Sequence, residues 1–541
     1  MTASWTSNLH FASRPKSVRQ PVAPAREPAV STVSASKPLP FLIAILVLAA
    51  FLRFFQLTTI PQGIQVDEAM NGANILQIQE TGQYRVFYPE NMGREGLFIN
   101  IQAVAASILG NEPWVLRAVS AAFGAATVWT TYLLVAELFS PWIGLLAAFF
   151  MATSYWHLML SRLGTRAVTA SFFLTLGLYL LITALRRVQG GAGVLGRLVL
   201  AGAVCGLGFH TYTAYRVSPA IYGAVLLYYL IDARRKGWLP AFWKSTAVFG
   251  VVVVAMVAPL ALYLVQHPAE AAGRTAQVLV FNRSANPALE ILNNTWKTAQ
   301  MFFFEGDHNW RHNYDGRREV FWPIAILLAV GIFVAVRAII AALRSHADAK
   351  AYALLLVWVA VAAIPGILSG EGVPHALRCS LMIPAIFTLA ALGAAWVWEQ
   401  LESLPRPARL AVAGVVLLLA IWDPYHTYFD LWAPNPEVAG HYSDKLMSLA
   451  DQFNRAPRNL TKYVAVTSTG PSANGIPVLL IPFTYMTRSY TEKEQAETNI
   501  RYLTPQNFRL AAGVNPAGKT FCQVVQESLP GQSVTCLNLR Y

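Results

Sequence analysis

Charge is scarce in this sequence. Asp, Glu, Lys and Arg together fill 13% of its 541 positions while 55% are hydrophobic, against roughly 25% charged residues in soluble domains. A water-soluble fold is thereby excluded for most of the chain, which carries apolar runs of the ~18 or more residues that a membrane crossing requires. Acidic residues are scarcer than basic ones, 28 against 41, for a net charge of +13. The basic surplus borders apolar runs, an arrangement that orients a membrane protein and argues against nucleic acid as a partner. Cysteine is also rare, with four in the chain. Cys205 and Cys379 fall within or at the edge of apolar runs, as inert core thiols do. Cys522 and Cys536 flank SLPG in TFCQVVQESLPGQSVTCLNL; a hairpin there sets them opposite each other within disulfide reach, in an oxidising compartment. The sequence has no HExxH, no P-loop, no dinucleotide fingerprint, and neither internal nor inverted repeats.

What the chain does have is a series of spans. The first 38 residues, rich in Pro, Ser, Ala and basic side chains, read as a disordered cytoplasmic tail. Eleven predicted spans follow, at 39–57, 114–137, 141–158, 165–185, 197–211, 217–232, 243–265, 320–341, 352–369, 378–398 and 409–428. Arg14, Lys16, Arg19, Arg26, Arg186, Arg187, Arg197, Arg234, Arg235, Lys236, Arg337, Arg344, Lys350, Arg406 and Arg409 then share one side, the cytoplasmic one. An odd span count sends the C-terminal region to the other side, as the proposed disulfide also requires. The expected architecture is a mainly α-helical, multi-pass cell-membrane protein of about 11 transmembrane helices. Its transmembrane domain covers 39–429, with long outer loops at 58–113 and 266–319, and a small extracytoplasmic α/β domain covers 430–541. In that domain WAPNPEVAGHYSDKLMSLADQF predicts a turn and helix, KYVAVTSTG and IPVLLIPFTYMT predict strands, and its size allows a core of its own. Within the first outer loop, 67–81 and 96–110 predict amphipathic helices, the second lying in the membrane interface.

The polar residues of chemical interest all fall on the outer side. Asp67 and Glu68 open the first amphipathic helix beside Asn71, where a carboxylate suits either a helix cap or a general base for a hydroxyl. GDHNWRHNYDGRR (306–318) gathers Asp307, His308, Asn309, Arg311, His312 and Asn313 around Trp310. This group suits sugar or phosphate contacts; a divalent metal held by Asp307, His308 and His312 is the lesser expectation, and no cofactor is otherwise called for. PHALR places His375 and Arg378 three residues apart, and HTYTAYR contributes His210 and Tyr212. Arg162, Arg166, Arg216 and Arg378 sit in short outer loops, against the charge preference of such loops. Each is a candidate anion ligand or a side chain snorkelling to lipid phosphate. Together these residues describe a basic, His-rich pocket with a carboxylate at its rim.

The motifs P-x-G-x-x-x-D-E-A after the first span, GRE-L, R-x-x-S-A near 117–121, S-x-x-H-x-x-x-S-R-x-G-x-R at 154–166, GDHNWRHN and PHALR resemble glycosyltransferase family 39. That family includes dolichyl-phosphate-mannose protein mannosyltransferases and aminoarabinose transferases. The likeness runs over roughly residues 40–400 and is densest at 61–166. It implies a GT-C fold and an inverting transfer of a sugar from a polyprenyl phosphate to a hydroxyl of a protein, lipid or glycan at the outer face. It makes Asp67 the catalytic base with Glu68 beside it, and Arg162 the donor-phosphate arginine, joined by Arg166, His375 or Arg378. REGLF (94–98) stands where many members have Pro-Pro-Leu, and the C-terminal region carries no sugar-binding repeat. A transporter or flippase of a lipid-linked anion would use the same arginines, and a membrane-anchored scaffold would use none of them.

Overall fold

The computed structural model describes residues 38–190, 193–270, 278–345, 348–512 and 514–540. The expected tail, 1–38, lies outside the described residues but for Pro38. All eleven stretches predicted as spans are helical. Among the described residues, eight helices are long and apolar enough to cross a membrane: Pro113–Leu138, Ala167–Gln189, Thr213–Lys236, Leu239–Gln266, Trp322–Arg344, Lys350–Ile367, Ser380–Ser403 and Arg406–Trp432. The stretch 141–158 is two helices, Pro141–Ala152 and Tyr155–Arg162, bent by 61°. The bend falls where Ser154 leaves the helical path and caps the second helix by accepting from His157 N. Leu39–Phe54 (α1) and Leu195–Gly208 are shorter apolar helices. Helices pack closely where side chains vanish. A Cβ on Gly331 would sit 1.8 Å from Leu389 O and one on Gly393 would sit 1.9 Å from Leu327 O, so the glycines let Trp322–Ser345 and Ile383–Gln400 approach backbone to backbone.

The predicted polar loops meet at one end of the helix bundle. The first of them contains α2 (Val66–Thr81), a two-stranded ribbon pairing Phe87–Tyr88 with Arg94–Glu95, and α3 (Gly96–Leu109). Asp67 and Glu68 in the first turn of α2 favour its N-terminal dipole, and Gly82 ends it in the left-handed region (φ 70°).

The loop leading into α2 is fastened by buried arginines. Arg117, from Pro113–Leu138, forms a bidentate pair with Glu68 (2.7 and 3.0 Å) and donates to Pro61 O (2.8 Å) and Gly63 O (2.6 Å). Arg162 donates to Leu52 O (3.1 Å), Arg53 O (2.9 Å) and Ile60 O (3.0 Å), its guanidinium lying 4.8 Å from the Tyr428 ring and 5.0 Å from that of Phe429. The carbonyls where α1 ends, unsatisfied within the helix, thus find charged donors in a dry interior. Gly164 is required beside this clasp, since a Cβ there would meet the Glu68 carboxylate at 2.6 Å.

The C-terminal region departs from expectation in three places. Lys462–Ser468 is a strand as predicted, but it is central to a three-stranded parallel sheet between Ile500–Leu503 and Val534–Leu539. IPVLLIPFTYMT forms a short strand, a 3₁₀ turn and the helix Ile481–Met486, not one long strand; Pro482 at the first turn favours the helix. The terminal hairpin is likewise absent: Cys522 lies in the helix Phe521–Ser528 and Cys536 in the strand Val534–Leu539, yet they form a disulfide with Cα atoms 5.7 Å apart. The region's core is not its own. Val464, Val466, Phe483 and Tyr502 share one apolar cluster with Ile75, Leu76 and Ile78 of α2, and Tyr485 packs on Gly72 while donating to Asn111 O at 3.0 Å.

Glu68→Gln should cost about 3–5 kcal/mol through the uncompensated Arg117 charge it leaves buried. Thermal unfolding of the detergent-purified protein should show a marked loss, whereas a wild-type melting temperature would mean that the pair contributes little.

Candidate active site

A cleft of about 310 Å³ opens among the gathered loops. Among its described lining residues are five arginines, Arg94, Arg166, Arg216, Arg311 and Arg378, and a single carboxylate, Asp67. The clasped loop and the start of α2 hold Asp67 at the rim, 38% exposed at its side chain. Asn91 Nδ2 donates to its Oδ1 at 2.6 Å, and Arg311 Nη1 stands 3.9 Å from Oδ2. The adjacent Glu68 points the other way, into the protein and onto Arg117. Successive residues of one helix turn point in different directions, so the acidic doublet serves two places. Glu68 therefore falls outside the catalytic pair expected from sequence: it is fully buried and already engaged by two guanidinium nitrogens.

The cationic wall is preorganised by acids behind it. Glu95 accepts from Arg166 Nε (3.0 Å), Thr213 Oγ1 (3.0 Å) and Arg216 Nη2 (3.4 Å). Tyr212 carries the Arg166 guanidinium over its ring at 5.6 Å. Arg94 is almost wholly buried, donating to Asn71 Oδ1 at 2.6 Å and to Asn74. Burial, then the neighbouring Arg166 charge, push its pKa down to about 10, so it stays protonated at neutral pH. Arg378 is fixed by Ser369 and Glu371. Locked guanidinium groups in a partly dry cleft bind an anion without first losing side-chain freedom.

Against the far wall lies a second group. Asp307 Oδ2 is 3.3 Å from His312 Nδ1 and 3.6 Å from His375 Nδ1, and it accepts from Ala376 N at 2.9 Å. His312 and His375 line the cleft. Burial first, eased by Asp307, lowers the pKa of both imidazoles, which keeps them neutral at neutral pH. For Asp307, burial favours the acid but the hydrogen bond and charge of His312 outweigh it, holding the carboxyl below its usual range. These three residues carry the donor set of a metal site.

The residues expected from sequence therefore separate. Asp67, Arg166, Tyr212, Arg311, His312, His375 and Arg378 meet in the cleft, with Asp307 behind the histidines. Asn71 supports Arg94 from below and donates to Gln102 Oε1 and Gly164 O. Asn309 and Asn313 shape the loop, Asn309 accepting from Arg311 N and Asn313 donating to Asp307 O. Three expected contacts are corrected. Arg162 is wholly buried and spends its mapped donors on backbone carbonyls of the α1 end and Ile60. His210 turns away to Met256 O at 2.8 Å. His308 faces solvent and pairs with Glu305 at 2.8 Å, so His375, not His308, completes the group with Asp307 and His312. Arg94, Asn91 and Glu95 join the cleft beyond the residues expected from sequence, where the charged GRE segment is their one signal, and Arg216, an outer-loop arginine by sequence, lines it too.

Residues 97–263 match the family model described as dolichyl-phosphate-mannose-protein mannosyltransferase. Over 135 residues the chain is 33% identical to the protein YkcB of Bacillus subtilis (strain 168), a match covering 25% of this chain and 18% of that protein. Its fold is similar to that of ArnT from Cupriavidus metallidurans in the apo state, with a TM-score of 0.53 at 13% identity, covering 84% of this chain and 85% of that one. It is also similar to the archaeal oligosaccharyltransferase AglB from Archaeoglobus fulgidus in complex with an inhibitory peptide and a dolichol-phosphate, with a TM-score of 0.50 at 15% identity, covering 88% of this chain and 65% of that one. The chain thus spans about a fifth of the curated relative and just under two thirds of AglB. Fold, family model and relative agree with the resemblance to glycosyltransferase family 39 drawn from the sequence: the chain is a multi-pass membrane protein with a fold similar to those of ArnT and AglB.

Proposed function

We propose that the protein is an inverting glycosyltransferase that moves a sugar from a polyprenyl phosphate to a hydroxyl acceptor at the outer face of the membrane. The observation that carries this reading is the cleft itself, in which one rim carboxylate, Asp67, faces five arginines. A phosphodiester bound among Arg166, Arg216 and Arg311 is matched in charge, and its prenyl chain continues over Val278, Leu279, Ile364 and Leu368 on the apolar side of the cleft. Asp67 takes the proton of the acceptor hydroxyl as its oxygen bonds the anomeric carbon. The bond from that carbon to the phosphate oxygen breaks, and the polyprenyl phosphate leaves with the electron pair, its charge stabilised by the arginines. A single carboxylate at the reacting face supports one displacement, and therefore inversion. The dolichol-phosphate bound by the AglB neighbour supports a lipid-phosphate donor. The disulfide and the basic residues gathered at the other ends of the spans support the outer face.

Asp67→Asn should lower transfer of label from a radiolabelled polyprenyl-phosphate hexose by about 10²-fold or more, with an unchanged melting temperature. Near-normal turnover would remove Asp67 as base, and label relocated across a vesicle without transfer would point to a transporter. Arg166→Ala and Arg216→Ala should act on donor use, raising the apparent donor KM, while Arg162→Ala should lower stability before it alters donor affinity. An Arg162→Ala protein that folds normally but loses donor binding would reverse these assignments.

A further inference from the structure

We infer that Asn91 is a positioning residue for Asp67, holding its carboxylate in the orientation that base catalysis needs; the inference rests on the transferase reading above. Asn91 is buried, and its Nδ2 donates to Asp67 Oδ1 at 2.6 Å. An ionised carboxylate only accepts hydrogen bonds, so the amide nitrogen and not the amide oxygen faces it. Oδ1 is thereby engaged, and Oδ2, 3.9 Å from Arg311 Nη1, is the oxygen that takes the acceptor's proton. An amide carries no charge. It fixes the carboxylate while lowering its basicity less than a guanidinium in the same place would.

The backbone is built to deliver this contact. Asn91, Met92 and Gly93 are consecutive residues in the left-handed region, with φ of 53°, 68° and 86°. Asparagine and glycine enter that region readily, whereas methionine does so against its preference. Such a turn persists only where its surroundings determine it. Here a Cβ on Gly93 would meet the Phe87 ring at 2.6 Å, and that ring lies against Tyr263 with centroids 5.4 Å apart. Tyr88 donates to Asn100 Oδ1 at 2.8 Å and Asn100 donates to Arg85 O at 2.9 Å, which pins the ribbon to α3. The returning strand carries Arg94 and Glu95, and Glu95 holds Arg166 and Arg216. One hairpin thus positions both the base and part of the cationic wall.

The test is the pH profile of transfer by the full-length protein in detergent, with a radiolabelled polyprenyl-phosphate hexose as donor and a membrane extract as acceptor. Asn91→Gly keeps the left-handed backbone and removes the amide. Asn91→Asp keeps the side chain's size and replaces the donor by a second carboxylate. Losing a hydrogen bond to the charged form makes Asp67 harder to ionise. The acid limb of kcat/KM should therefore move to higher pH, by about one unit in Asn91→Gly and further in Asn91→Asp. Arg311, Arg94 and His312 also act on the Asp67 charge and are unchanged in both variants, so the difference reports Asn91. On the plateau kcat should fall about 10-fold or more through lost orientation, with the donor KM unchanged. A purely structural role would lower the melting temperature without moving the limb. Profiles that superimpose on the wild type, or a change confined to KM, overturn the positioning role alone when Asp67→Asn is inactive. An active Asp67→Asn protein overturns it together with Asp67 as base. Either Asn91 variant decides by itself if the other fails to fold.

Discussion

The organisation of the cleft depends on a buried ion pair beneath it. Arg117 and Glu68 bind in the dry interior, and two further bonds from Arg117 hold the carbonyls of Pro61 and Gly63. Arg162 does the same for Leu52, Arg53 and Ile60. A chain leaving a membrane helix has carbonyls with no partner within the helix, and lipid offers none. Charged donors from two neighbouring helices supply them, and in doing so fix the direction in which α2 begins. Asp67 is one residue from Glu68, so anchoring the second sets where the first points. The doublet is one device, with an anchor and a working group.

The same economy appears in the cationic wall. Arginines that hang free would lose much of their entropy on binding an anion. Here Glu95, Tyr212, Asn71, Asn74 and Glu371 hold them beforehand. The wall is therefore rigid while retaining more positive than negative charge. Because the C-terminal region shares its core with α2, the sheet and its disulfide stiffen the rim from outside. The C-terminal region thus meets α2 through this shared core, while among the described residues lining the cleft none belongs to the sheet.

Helices and the existence of a polar end were legible in the sequence because apolar periodicity and length report directly on membrane burial. Asp67 was legible as half of an acidic pair just beyond a span. Arg162 was not, since an arginine in a short loop looks the same whether it serves a ligand or a neighbouring carbonyl, and only the fold says which is nearer. Asp307, His308 and His312 suggested a shared site from their nearness in sequence; His308 instead faces solvent, and His375 arrives from a remote segment. The terminal hairpin failed for a local reason. FCQVVQES is preceded by Thr520, which with Gln523 makes a capping box, and that signal outweighs the β-branched pair inside the helix.

A structure of the protein in a lipid nanodisc with a bound polyprenyl phosphate tests the central claim most directly. The account predicts phosphate density among Arg166, Arg216 and Arg311, with room for one sugar ring between it and the Asp67 carboxylate and the prenyl chain running out over Leu279 and Leu368. Phosphate bound at the opposite end of the helix bundle, or outside the cleft and out of reach of Asp67, would contradict it.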